Sequence, residues 1–162
     1  MAISEQEIRK SRKTLLWGFP YTAGTISLFY FFGVIPLTDS ISEIIHRAPS
    51  VRLGSAAILS PWIILMLTLA TVAISLKAIP APEAWLVFFT RAVETTALLG
   101  LFMLMIGVPL ATWAQYHFMP EWGYTQCNIL KGHPTLWFND WVRNPEWCVG
   151  GKDRDWVAQQ AG

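Results

Sequence analysis

Few side chains in this sequence could do chemistry, and their spacing suits little of it. Cysteine occurs twice, at Cys127 and Cys148, with twenty residues between them. That is not the Cys-x-x-Cys of a dithiol redox centre, and a zinc site would need further Cys or His at ligand spacing. His46, His117 and His133 are scattered, with no two of them four apart. His117 stands as a lone candidate haem or metal ligand, and the competing reading is a histidine at a membrane interface. Asp140, Glu146, Asp153 and Asp155 cluster loosely and read as a solvated acidic surface. No GxSxG, Walker A, GxGxxG or HExxH pattern occurs. The expectation is no catalytic residue, no metal and no cofactor. Arg91 and Glu94, three apart, share a helix face. They are a functional pair if they sit below the lipid headgroups, because charges in that position are costly and usually paired. They are a snorkelling surface pair if they do not.

The elements that must position these residues are set by hydropathy. Of 162 residues, 53% are hydrophobic and 14% charged, and mean hydropathy is +0.38. Soluble domains carry about 25% charged residues. Three windows hold no Asp, Glu, Lys or Arg: 15–37, 56–76 and 95–114, leaving all 23 charges in the other 98 positions. A bilayer core about 30 Å thick needs roughly 20 apolar helical residues, and each window reaches that length. The predicted fold is therefore an all-α membrane protein of three transmembrane helices over residues 15–114. Residues 1–14 form a short N-terminus and residues 115–162 a small disulfide-closed tail. This composition excludes disorder and a free cytosolic enzyme, and a net charge of +1 offers nothing to nucleic acid.

Basic residues near the span ends orient such a protein. Arg9, Lys10, Arg12, Lys13, Lys77 and Arg91 fall on one side; Arg47, Arg52 and Lys131 fall on the other. The excess predicts a cytoplasmic N-terminus and an outward C-terminus. The first span is longer than a signal sequence's apolar core and lacks a small-x-small cleavage site, so it reads as an anchor.

Between the spans, Asp39 is the expected N-cap of a short amphipathic helix with Ile41, Ile44 and Ile45 on one face, stopped by Pro49. Pro82 suits the first turn of a new helix that runs through 83–94 into the third span. Pro109 is expected to bend that span above Gly107. Gly and Ser/Thr residues in the spans permit close helix contacts.

The tail holds both cysteines and five of the nine tryptophans. Two cysteines in one outward segment read as a disulfide worth about 3 kcal/mol, with reactive thiols as the competing reading. Residues 134–143 read as a short helix, because Trp137 and Trp141 lie one turn apart. Asn144-Pro145-Glu146 then begins a turn, and Gly150-Gly151 ends it. Trp137, Trp141 and Trp147, with Arg91 and Glu94, are the candidate partner-binding residues, since tryptophan anchors dominate many interfaces. The competing reading packs the tail aromatics on the disulfide and into lipid headgroups.

The run Gly123-Tyr124-Thr125-Gln126-Cys127, then Pro134, Trp137, Trp141-Val142 and Cys148, resembles small bacterial inner-membrane proteins of unknown function. These carry a few spans and a periplasmic Gly-Tyr-x-x-Cys segment with a second cysteine some twenty residues on. The resemblance covers about a fifth of the chain and implies the periplasmic side for the disulfide, with no enzyme activity. In architecture alone the chain is similar to membrane immunity proteins directed against toxins. The expected function is a non-enzymatic inner-membrane binding protein, with an immunity or exclusion role as its most concrete form. Its partners would be the lipid bilayer and another membrane or periplasmic protein. The alternatives are an accessory subunit of a larger membrane complex and a membrane redox or cofactor-binding protein.

Overall fold

The computed structural model describes residues 5–79, 81–133, 135 and 137–162, with side chains from Arg9 onward. The chain divides into two compact units. The first comprises residues 1–33 and 59–103, and the second residues 34–58 and 104–162.

Unit one is helical. It contains α1 (Glu5–Phe29), α3 (Ser60–Ala78) and α4 (Glu83–Phe102). α3 packs on both α1 and α4. The contacts use small residues: Ala73, Ala78, Ser60 and Gly33 are buried. A Cβ at Gly33 would run into the Ser60 side chain, so the glycine is what permits that approach. Hydroxyls within the helices bond to carbonyls one turn back, as in Thr71 Oγ1 to Leu67 O at 2.8 Å and Thr96 Oγ1 to Ala92 O at 2.7 Å. A polar side chain satisfied by its own helix can face an apolar neighbourhood at little cost. Arg12 Nε donates to Ala78 O at 3.2 Å, satisfying a carbonyl at the end of α3.

Three helical stretches among the described residues are long and apolar enough to cross a bilayer: Arg9–Ile45, Ser55–Ala78 and Glu83–Glu121. They extend past the charge-free windows because a helix does not end where its apolar run ends. Two contain a π-turn, Tyr30–Val34 and Met103–Gly107, each followed two residues later by a proline, Pro36 and Pro109. Proline lacks the N–H for the ladder, and its ring collides with the carbonyl four residues back. One widened turn relieves both problems, and helical structure continues through Pro109 to Glu121.

Unit two corrects the all-helical expectation. It holds α2 (Ile35–Ile45), α5 (Val108–Glu121) and α6 (Arg154–Ala161) around a small antiparallel sheet. The strands are β1 (Ser50–Leu53), β2 (Thr125–Gln126) and β3 (Asn139–Val142), in the order β1-β3-β2. β3 pairs with β1 from Ser50 opposite Val142 to Leu53 opposite Asn139. The helix expected across 134–143 is therefore a loop and a strand, although Pro134 and Leu136 lie outside the described residues. Asp140, Trp141 and Val142 are all buried, because both faces of the sheet are covered. The alternation that marks a half-exposed strand was thus absent. Trp141 packs with Val51, Met119 and Tyr124 on one face, and Val142 with Cys127, Leu130 and Val157 on the other.

α2 also differs from expectation. It begins four residues before Asp39, which sits inside the helix and caps nothing. Of the three isoleucines expected on one face only Ile44 reaches the core, while Ile41 and Ile45 are exposed.

Candidate functional site

The Gly-Tyr-x-x-Cys run has a concrete structural meaning. Gly123 adopts φ +82° immediately after α5, a left-handed conformation that favours glycine. Its N–H donates to Pro120 O and that of Tyr124 to Met119 O, both at 3.0 Å, the paired bonds of a Schellman terminus. Tyr124 turns inward and its hydroxyl donates to Ala48 O at 2.8 Å. Burial raises its pKa above the ordinary value, partly opposed by the Arg143 charge. Three residues on, Cys127 closes a disulfide with Cys148, their Cα atoms 5.6 Å apart. Cys127 is buried in a cluster with Leu130, Val142 and Val157, and Trp147, Cys148 and Trp156 pack against that cluster.

The most tightly bonded side chain is Asp140, fully buried on β3. Arg52, from the neighbouring strand, grips it with Nε to Oδ1 at 2.7 Å and Nη2 to Oδ2 at 2.8 Å. His133 Nε2 adds a contact to Oδ2 at 3.0 Å, and its side chain is only 2% exposed. The Arg52 guanidinium lies 3.9 Å from the centre of the Phe138 ring, and His133 meets the same ring edge-on at 5.0 Å. Asp140 is therefore no part of a solvated acidic surface, which corrects that expectation. A buried carboxylate is tolerated only when paired and hydrogen-bonded, and both oxygens here are engaged. The arrangement is a bidentate clamp on a buried carboxylate.

The clamp engages His133 and Phe138, described residues on either side of Trp137. Trp137 lies just before Phe138; its N–H donates to Thr135 Oγ1 at 3.1 Å. A Cβ at Gly54 would stand 3.1 Å from Trp137 O, so β1's exit lies close under this backbone. The Trp137 side chain is nevertheless 76% exposed. A large apolar side chain is thus displayed from a pinned main chain.

The other candidate residues fall elsewhere. Trp141 is 1% exposed and belongs to the core, so no aromatic face with Trp137 forms. Trp147 is half-buried beside the disulfide. Arg91 and Glu94 lie exposed on α4 in unit one. His117 stacks on Trp113 at 5.1 Å and has the Glu121 carboxylate one turn on at 3.7 Å. His46 Nδ1 lies 2.8 Å from Ser42 O. Among the described residues no group of three His, Cys, Asp or Glu side chains could hold a metal ion.

A cleft of about 670 Å³ lies between the end of α2, β1 and the start of α6. Glu43 and Arg154 are ion-paired in its wall, and Lys131, Asp153 and Asp155 ring it. Glu43 Oε2 and Arg154 Nε are buried there without a hydrogen-bond partner. Neither this pair nor the Arg52–Asp140–His133 group had a signal in the sequence. Arg52 and Asp140 are 88 positions apart and meet only through strand pairing. Comparison with protein-family models, curated proteins and solved structures finds no match to this chain.

Proposed function

We propose that this chain is a non-enzymatic integral protein of a bacterial inner membrane that binds another membrane or periplasmic protein. Its three long apolar helices cross the bilayer with the N-terminus cytoplasmic and the C-terminus periplasmic. The disulfide-closed unit two then faces an oxidising compartment, where such a bond persists. The carrying observation is Trp137, 76% exposed between His133, which contacts Asp140, and Phe138, which lies under Arg52. An exposed tryptophan on a fixed backbone loses little conformational entropy on binding, which is how interface anchors gain affinity. An immunity or exclusion role is the most concrete form of this reading, drawn from architecture.

The accessory-subunit reading has its own support. The most apolar window of the Glu83–Glu121 helix buries none of its residues within the chain. A redox role draws less, since Cys127 is buried in an apolar cluster.

The test places a photoreactive phenylalanine derivative at position 137 of the full chain in native membranes. The expected result is one discrete protein adduct, absent when the probe sits at Ile129, which is exposed in the same unit. Adducts with lipid alone would overturn the reading and leave Trp137 as a headgroup anchor. Alkaline carbonate extraction tests membrane integration separately: the chain should stay in the pellet.

A further inference from the structure

The face of α4 turned away from α3 repeats every seven residues. Ala84, Arg91 and Leu98 form one row, Val87, Glu94 and Leu101 a second, and all six are exposed. Thr96, on the opposite side of the helix, is buried. Rows separated alternately by three and four residues are the a and d positions of a helix-pairing seam. Leu98 is 69% exposed, so the seam is uncovered among the described residues. A shallow groove of about 580 Å³ flanks its first half, bounded by Ala84, Val87 and Arg91 on the seam and by Phe88, Thr95 and Thr96 towards the buried side.

Two charges sit in the middle of this seam. Arg91 and Glu94 are one turn apart, yet neither has a hydrogen-bond or ion-pair partner among the described residues. Their height along the helix matters. α3 and α4 pack together and are joined by four residues, so they run antiparallel with α4 starting level with the end of α3. At 1.5 Å per residue, Arg91 lies about 12 Å up α4 from Glu83. That sets it beside the charge-free turns of α3, well above Lys77. In a bilayer, charges at such a height are expensive alone and are met in pairs.

We propose that the chain self-associates through α4, two copies running parallel about a two-fold axis along the bilayer normal. This rests on the membrane-spanning reading given above. In a parallel pair the Arg91 layer and the Glu94 layer are about 4.5 Å apart along the axis. Arg91 of each copy then reaches Glu94 of the other, and the four charges sum to zero. The seam is self-complementary, as an isologous interface requires. A lipid phosphate would answer Arg91 and leave Glu94 unpaired, which is why a second copy fits better than a headgroup. Polar residues at one a/d step also fix the register of the pair.

The experiment uses the full chain in proteoliposomes at high lipid dilution. Leu98→Cys is placed on the seam, and Ala97→Cys about a third of a turn away serves as the control; the native cysteines are already paired. Oxidative cross-linking should give a dimer with the seam cysteine and about tenfold less with the control. Arg91→Glu or Glu94→Arg, each in the Leu98→Cys background, should lower the yield about tenfold when reconstituted alone. Mixing the two variants should restore it as a heterodimer. Equal yields at positions 97 and 98, or charge variants that cross-link as well as the parent, would overturn the proposal. So would a monomer that retains anionic lipid in an Arg91-dependent way. Failure of the chain to enter the liposomes would overturn the membrane reading instead, and carbonate extraction of the same samples separates the two outcomes.

Discussion

The two units differ in how many polar groups they satisfy between distant segments. In unit one, serine and threonine hydroxyls bond within their own helix, and Arg12 to Ala78 is a bond between elements. In unit two, bonds between distant segments carry the structure: Arg52 to Asp140, His133 to Asp140, Tyr124 to Ala48, Arg154 to Glu43. On the membrane-spanning reading proposed above, the contrast is the one that lipid and water impose. A helix in lipid must close its hydrogen bonds locally. A small unit in water lacks enough apolar surface for a large core and gains from cross-links. Packing follows the same division. Unit one relies on small residues at close approach, unit two on Trp141, Val142 and the disulfide.

The comparison is broken most severely at Asp140. Asp140→Ala leaves Arg52 and His133 facing a buried void, at a cost of about 3–5 kcal/mol. Denaturant unfolding followed by tryptophan fluorescence should show unit two losing this stability. Far-ultraviolet dichroism should meanwhile keep most of the helical signal, which comes largely from unit one. Loss of all helix together would show that the two modes of stabilisation are not separable.

A smaller effect is expected in unit one. Gly33→Ala forces a methyl into Ser60 and should cost about 1–3 kcal/mol, the usual penalty of overpacking. Gly24→Ala meets nothing within 4 Å and should be neutral or slightly stabilising. Thermal unfolding in detergent compares the two, and Ser60→Gly should rescue only the first. Equal effects would mean that close approach does not govern this unit.

The mildest change is at Tyr124. Its pKa is raised by burial, so the folded state favours the neutral phenol. The stability this contributes is whole below its ordinary value near 10 and is lost as pH rises through the higher folded value. Tyr124→Phe should cost about 1 kcal/mol at neutral pH through the lost bond to Ala48. It should also flatten stability against pH above 10, read from denaturant midpoints at pH 8 and 10.5. A variant keeping the full alkaline loss would place that sensitivity elsewhere.

The long helices were legible because hydropathy is local: three charge-free windows of adequate length lie within the three long apolar helices. The disulfide was legible too, since two cysteines in one short tail leave a single pairing. The sheet was not. β3 carries Trp141 four residues after Trp137, which mimics one helical turn, and its two buried faces erase alternation. Its partner β1 is four residues long and lies almost ninety positions earlier. The same non-locality hid the candidate site. Trp137 stood out as one tryptophan among nine, and nothing nearby in sequence distinguished it from Trp141, which is buried.

Local chemistry therefore determined the apolar helices, the cysteine pairing and the glycine at the end of α5. Each depends on residues close in the chain or on a choice with one answer. Tertiary structure alone decided which tryptophan faces outward, which aspartate is clamped and which face of α4 stays uncovered. Those outcomes depend on burial and pairing between segments far apart, and burial is a property of the assembled surface that no window of sequence contains.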